Sequence, residues 1–213
     1  MKLSPSLLSA DFGSLRNEAH SVEALVDRFH WDVMDGHFVP NLTFGPPVVN
    51  ALRDHTTKPF DIHLMIDRPA EYAPQFRVRA GDTITFHIEA DDEPEAVFDA
   101  IAKTGAGAGL SLRPATPVAT IEPWLDRIAY LLVMSVEPGF GGQRFIPEAL
   151  ARIRELRDLV GERDIEIAVD GGIHAGNVAD VVAAGAEIIV AGSAVFGTAD
   201  RPAAIRALRE AVA

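Results

Sequence analysis

The chain has no cysteine in its 213 residues. This absence excludes disulfide bonds, zinc–thiolate sites and a catalytic thiol. Long hydrophobic runs are also lacking, because no apolar stretch approaches the ~18 residues that a membrane-spanning helix needs. Residues 1–6 do not follow the plan of a signal peptide, since Pro5 interrupts the apolar segment. We therefore expect a cytoplasmic protein with no membrane partner.

Positive charge is scarce. The chain has 19 Lys and Arg residues against 31 Asp and Glu residues, which gives a net charge of −12. Such an acidic protein is repelled by nucleic acids and anionic membranes, so neither is expected as a partner. The same charge repels small anions at long range. An anionic substrate must therefore be held by local groups in its binding site.

Short apolar runs alternate with helical patterns along the whole chain. Prolines open several of the helical segments, as they do at Pro46, Pro69 and Pro94. Further helices are predicted over residues 14–27 and from Pro117 onward. The predicted strands cover residues 2–8, 29–34, 60–65, 83–88, 107–112, 128–136, 165–170 and 187–191.

This alternation predicts βαβ units and a parallel sheet. Eight units in a chain of this length predict a closed (β/α)₈ TIM barrel, with residues 1–213 forming a single domain. The alternative is an open doubly wound sheet, which usually has fewer strands. No linker, low-complexity segment or second domain is visible in the sequence.

Polar residues lie where the predicted strands end, which is where barrel enzymes place catalytic groups. His30, Asp32 and Met34 alternate along one strand and so share a face. Taken singly, each polar residue is typical of a structural hydrogen bond. Together they form a set of strand-end residues, Ser6, His30, Asp32, His63, His87, Glu89, Glu137 and Asp170.

Two histidines and two aspartates in this set can converge on one divalent cation. These are His30, Asp32, His63 and Asp170. Nitrogen and carboxylate donors suit zinc, iron(II), manganese or cobalt and do not choose among them.

Glycine-rich segments follow the sixth, seventh and eighth predicted strands. Glycines allow backbone N–H groups to approach an oxyanion, and barrels often bind phosphate after their last two strands. A single glycine pair is more typical of a tight turn, but three at neighbouring strand ends favour a phosphate site. The residues concerned are Gly139, Phe140, Gly141, Gly142, Gly171, Gly172, Gly192 and Ser193.

Three methionines are predicted near the same ends of the strands, namely Met34, Met65 and Met134. They are explained either by ordinary core packing or by a polarisable surface that contacts the substrate beside its reacting carbon. The sequence leaves both interpretations open.

Five segments, in order along nearly the whole chain, resemble the ribulose-phosphate 3-epimerase family. They are SPSLLSADF at 4–12, DVMDGHFVPN at 32–41, DIHLM at 61–65, VEPGFGGQ at 136–143 and VDGGI at 169–173. The resemblance implies a (β/α)₈ barrel that interconverts D-ribulose 5-phosphate and D-xylulose 5-phosphate in the pentose phosphate pathway. It also implies a small-molecule ketose phosphate as substrate, and we expect a homo-oligomer.

The resemblance assigns roles to the residues already singled out. His30, Asp32, His63 and Asp170 would bind one divalent metal ion, with Asp32 and Asp170 as the acid–base pair. Ser6 and His63, the three methionines and the glycine segments would contact the substrate and its phosphate.

The sequence departs from the family pattern at two places. Arg144 stands where a lysine commonly follows Gly-Gly-Gln, and residues 25–29 lack the usual Gly-Ala dipeptide. Both departures leave room for another ketose phosphate, such as D-allulose 6-phosphate. A lyase on a related barrel is the alternative from a different class. The Asp-x-Lys-x-x-Asp motif of the orotidine-decarboxylase group is absent, because residues 32–35 read Asp-Val-Met-Asp.

Overall fold

The computed structural model describes residues 1–213, and its eight strands form one parallel sheet. From the second strand to the eighth, each strand pairs with its neighbours in sequence, and the first strand pairs with the last. The strands are β1 (Lys2–Ser4), β2 (Phe29–Met34), β3 (Phe60–Met65), β4 (Thr83–His87), β5 (Gly107–Leu112), β6 (Tyr130–Met134), β7 (Glu166–Asp170) and β8 (Ile188–Val190).

The seam between β1 and β2 is joined by fewer contacts. A parallel bridge links Ser6 to His30, and the Asp27 N–H donates to the Leu3 carbonyl over 3.0 Å. The sheet is therefore a nearly closed barrel, and the predicted (β/α)₈ architecture is confirmed.

Helices surround the sheet and connect its strands. None of them has the length and apolar composition that crossing a membrane requires. They are α1 (Leu15–Val22), α2 (Pro46–Leu52), α3 (Pro69–Tyr72), α4 (Pro94–Ala102), α5 (Ala149–Val160), α6 (Val178–Ala183), α7 (Ser193–Phe196) and α8 (Arg201–Glu210).

Alternation along β2 separates two environments. Phe29, Trp31 and Val33 belong to the large apolar core between the sheet and the helices. His30 and Asp32, between them, lie inside the barrel and are buried. β3 and β4 repeat this pattern. On the side of β6, β7 and β8 the interior instead holds a cluster of seven buried apolar residues, which includes Tyr130, Leu132 and Val190. The barrel interior is thus polar on one side and apolar on the other.

Three segments differ most from the sequence-based expectation. β1 ends at Ser4 instead of residue 8, because the Ser6 side chain accepts the Leu8 N–H and begins a 3₁₀ turn. The helix predicted over residues 14–27 ends as α-helix at Val22 and continues as another 3₁₀ turn. The segment Val118–Arg127 is a 3₁₀ helix, and Pro123 inside it has no N–H for an α-helical hydrogen bond.

Candidate active site

A cleft of about 520 Å³ opens where the strands of the barrel end. Almost every residue predicted from the sequence to contact substrate or metal lines this cleft. Those residues are Ser6, Asp32, Met34, Met65, Met134, Gly139, Phe140, Gly141, Gly142, Asp170, Gly171, Gly172, Gly192 and Ser193. The two histidines of the predicted metal set are fully buried and do not line it.

The predicted metal ligands come together at this end of the barrel. Asp32 Oδ1 lies 3.2 Å from His30 Nε2 and 3.2 Å from His63 Nδ1. Asp170 Oδ2 lies 3.8 Å from His30 Nε2. One donor atom from each of the four residues lies within 4.8 Å of the other three. The structure therefore brings together donors from three strands that are far apart in sequence.

This spacing fits a divalent cation. Ligands about 2.1 Å from a metal ion stand roughly 3.0–3.4 Å apart when they occupy adjacent coordination positions. The two imidazole nitrogens are at that distance from the carboxylate oxygen, and two carboxylates supply the opposing charge.

Strand register explains why these side chains meet. In the β2–β3 pair, His30 is opposite Asp61 and Asp32 is opposite His63. Side chains on one face of neighbouring strands lie close together when their residues are paired. The inward face of the two strands therefore carries imidazoles and carboxylates in alternation.

Asp61 was not predicted from the sequence as a site residue, yet it holds the outer nitrogen of one predicted ligand. Its Oδ2 lies 2.8 Å from His30 Nδ1, and both side chains are fully buried. The Tyr130 hydroxyl donates to the same carboxylate, as does the Thr83 hydroxyl at 3.2 Å. With a proton on His30 Nδ1, the lone pair of Nε2 points to the donor set. Asp61 is two residues before His63 and shares its face, which was the available signal.

The two aspartates of the site experience different environments. Burial raises the pKa of Asp170 to about 7, and the nearby charge of Asp32 adds to the effect. Burial also raises the pKa of Asp32, but the charge of His30 and hydrogen bonds from both histidines outweigh it and hold that pKa below its ordinary value. Unequal proton affinity in neighbouring carboxyls is typical of acid–base chemistry.

The Ser6 hydroxyl donates to Asp32 Oδ2 over 2.5 Å. Asp32 thus uses one oxygen toward Ser6 and the other toward the imidazoles. Met34 and Met65 pack with residues of the loop after β2, while Met134 belongs to the apolar cluster inside the barrel. All three methionines therefore serve as packing residues and also reach the cleft, so the two interpretations of the sequence are compatible.

The glycine segments line the cleft beside the two aspartates. The backbone N–H groups of Gly172, Gly192 and Ser193 donate to no acceptor within the chain. A Cβ on Gly192 would lie 2.5 Å from Ser9 Oγ, so the backbone here is closely approached by its neighbours. Free amides next to a cleft can bind an anion without a cationic side chain.

Comparison with known proteins agrees with this geometry. A model described as the Ribulose-phosphate 3 epimerase family matches residues 2–196. The chain is 50% identical over 212 residues to a ribulose-phosphate 3-epimerase of Mycobacterium tuberculosis. This alignment covers 97% of the present chain and 91% of the relative. It is 45% identical to the Bacillus subtilis enzyme of the same name, with 98% of each chain covered.

Similarity to solved structures supports the fold. The crystal structure of 3-hexulose-6-phosphate synthase from Salmonella typhimurium aligns with a TM-score of 0.74 at 19% identity, covering 100% of this chain and 98% of that one. At this identity the likeness concerns architecture alone. The near full-length similarity to the epimerases decides the assignment: this chain is an isomerase that belongs to the ribulose-phosphate 3-epimerase family.

Proposed function

We propose that this protein interconverts D-ribulose 5-phosphate and D-xylulose 5-phosphate by inverting carbon 3, with a divalent cation held by His30, Asp32, His63 and Asp170. The observation that carries the proposal is the cluster of these four side chains, with donor atoms within 4.8 Å of one another, at the cleft. The names of relatives at 45–50% identity support the choice of substrate.

Epimerisation at this carbon begins with removal of a proton next to a carbonyl group. The electrons move onto oxygen and give an enediolate, to which a proton must return on the opposite face. When bound, the cation supplies positive charge that favours the negative charge developing on the substrate oxygens. Every other requirement falls on residues of the chain.

Asp32 is suited to one of the two proton transfers. Its Oδ1 faces the imidazoles at 3.2 Å, whereas its Oδ2 accepts the Ser6 hydroxyl at 2.5 Å, and both residues line the cleft. Oδ2 is therefore the oxygen that exchanges a proton with the substrate. Ser6 orients the carboxylate for this exchange.

Asp170 is suited to the other transfer. It ends β7, which is separated from β2 in the barrel by β8 and β1. The two carboxyl groups thus approach the cleft from different strands, and a carbon between them has one on each face. Each group acts as base in one direction of the reaction and as acid in the other.

In this proposal the phosphate of the substrate binds at the glycine segments. The free N–H groups of Gly172, Gly192 and Ser193 supply neutral donors there. Such donors can bind the phosphate locally, although the net charge of −12 repels an anionic substrate at longer range.

The test compares substrates on one preparation of known metal content. We expect a higher kcat/KM for D-ribulose 5-phosphate than for D-allulose 6-phosphate, with D-xylulose 5-phosphate as the product. A higher value for the hexulose phosphate would make the protein a 3-epimerase of that ketose. Carbon–carbon bond cleavage without epimerisation would instead indicate a lyase and would contradict the proposal.

A further inference from the structure

His87 and Glu89, at the end of β4, are strand-end residues that the proposed function does not use. His87 is fully buried, and its Nε2 lies 2.8 Å from Nε2 of His63. The imidazole rings have centroids 5.0 Å apart. A second histidine therefore contacts the metal-ligand histidine on the side away from the donor set.

The contact between the two rings fixes where protons lie. Two nitrogens at 2.8 Å share one proton, so one of them donates and the other accepts. His63 Nδ1 faces Asp32 and needs its lone pair in order to bind a cation. The proton of His63 is then on Nε2, and Nε2 of His87 is the acceptor. A neutral His87 in turn carries its own proton on Nδ1.

Glu89 is the carboxylate nearest to that proton. Glu89 Oε2 is 3.3 Å from His87 Nδ1, and neither of these buried atoms has a hydrogen-bond partner, so each is the nearest group that can satisfy the other. The other oxygen, Oε1, accepts the backbone N–H of Arg113 at 2.8 Å and the hydroxyl of Thr116. The carboxylate is thus held from the loop after β5 with one oxygen directed to the imidazole.

The loop after β2 holds the ring of His87 from its other side. The Phe38 ring has its centroid 4.9 Å from that of His87. The Arg113 guanidinium lies over the Phe38 ring and donates to the Phe38 carbonyl at 2.8 Å. His87 is therefore packed between Phe38 and His63 and cannot turn freely.

We propose that His87 and Glu89 are positioning residues, which keep the proton of His63 on Nε2 so that its Nδ1 lone pair faces the cation. The inference rests on the metal site of the proposed function. It assigns to β4 a part in metal binding although β4 supplies no ligand. Outer partners of this kind are generally worth 10- to 100-fold in metal affinity.

The most informative variant is Glu89→Gln, which keeps the size of the side chain and replaces one acceptor oxygen with a donor NH₂ group. If the amide oxygen stays with Arg113 and Thr116, its NH₂ group faces His87 Nδ1. His87 must then accept there and donate from Nε2, which moves the proton of His63 to Nδ1. If the amide instead flips, its NH₂ group faces the Arg113 N–H, and two donors are then in contact.

Titration of the metal-free protein with Co²⁺, followed by visible absorption, gives the dissociation constant. We expect Glu89→Gln to weaken Co²⁺ binding by about 10- to 100-fold. Glu95→Gln, which makes the same change on the exposed face of α4, should bind like the wild type. Glu89→Asp keeps a carboxylate and should restore part of the affinity.

The outcomes separate the inference from the proposed function. Wild-type protein that binds no Co²⁺ would contradict the metal site itself. Wild-type binding with an unchanged constant in Glu89→Gln would overturn the inference alone. Should the variant fail to fold, ¹⁵N NMR of the Zn²⁺-loaded wild type decides. It must show His63 protonated on Nε2 and His87 on Nδ1, and a proton on His87 Nε2 would refute the proposal.

Discussion

Gly172→Ala tests whether the loops after β6 and β7 pack directly against each other. Gly172 has φ +64°, which is in the left-handed region. A Cβ at this position would collide with the Phe145 nitrogen and lie 2.8 Å from the Gln143 carbonyl oxygen. Both are backbone atoms, so no side-chain rotation relieves the contact and one loop must move.

Two costs add up in this variant. Left-handed backbone costs an L-residue about 1–2 kcal/mol. Overpacking costs about 1–3 kcal/mol more. Gly142 separates them, because it has a similar φ of +73° but nothing within 4 Å of its Cβ position. Gly142→Ala should therefore lose only the first amount of unfolding free energy.

Urea denaturation of both variants beside the wild type measures the difference. We expect Gly172→Ala to be less stable than Gly142→Ala by about 1–3 kcal/mol, the overpacking cost. Equal losses in the two variants would refute the close packing of residues 172 and 143–145.

The remaining predictions concern the cleft, the cation and the response to acid. Gly192→Val should chiefly raise KM, because the added side chain crowds Ser9 and the free amides; an unchanged KM in folded protein would show that this loop does not contact the substrate. Exhaustive chelation should abolish activity, and full activity in verified metal-free protein would contradict the metal requirement. Burial raises the pKa of Glu89, but the contact with His87 and hydrogen bonds from Thr116 and Arg113 outweigh it and lower that pKa to about 2. Because the folded-state pKa is depressed, the stabilisation is present above about pH 4.5 and is lost as the pH falls toward 2. The unfolding free energy of Glu89→Gln should therefore depend less on pH between these values than that of the wild type.

The architecture was predictable because barrel strands carry strong local signals. Apolar runs bounded by prolines and glycines mark the eight strands, and their number leads to the closed sheet. The ends of strands and helices were harder to predict from the sequence, since they depend on single hydrogen bonds. The end of β1 is one case, where the Ser6 side chain competes with the sheet for the backbone.

The clustering of His30, Asp32, His63 and Asp170 was predictable because all four lie on strands that a closed barrel brings together. The partners behind it were not, since they depend on register and on contacts across the barrel. Asp61 reaches His30 because the two residues are paired between β2 and β3. Tyr130 reaches Asp61 from β6, 69 positions away in sequence. No local pattern encodes a contact of that kind.

The central claim is that Asp32 and Asp170 act on opposite faces of carbon 3. Asp170→Asn keeps the shape of the side chain and removes the proton acceptor, and Asp180→Asn on the exposed face of α6 is the matched control. Both variants are assayed in D₂O at measured metal content, with product and deuterium at carbon 3 followed by NMR.

For metal-replete Asp170→Asn we expect epimerisation to fall by at least ~100-fold, the lower end of a general acid–base contribution. Asp32 can still exchange the carbon 3 hydrogen of one epimer with deuterium without inverting it. The control should epimerise like the wild type. Metal-replete Asp170→Asn that epimerises at a near wild-type rate would contradict the two-base mechanism.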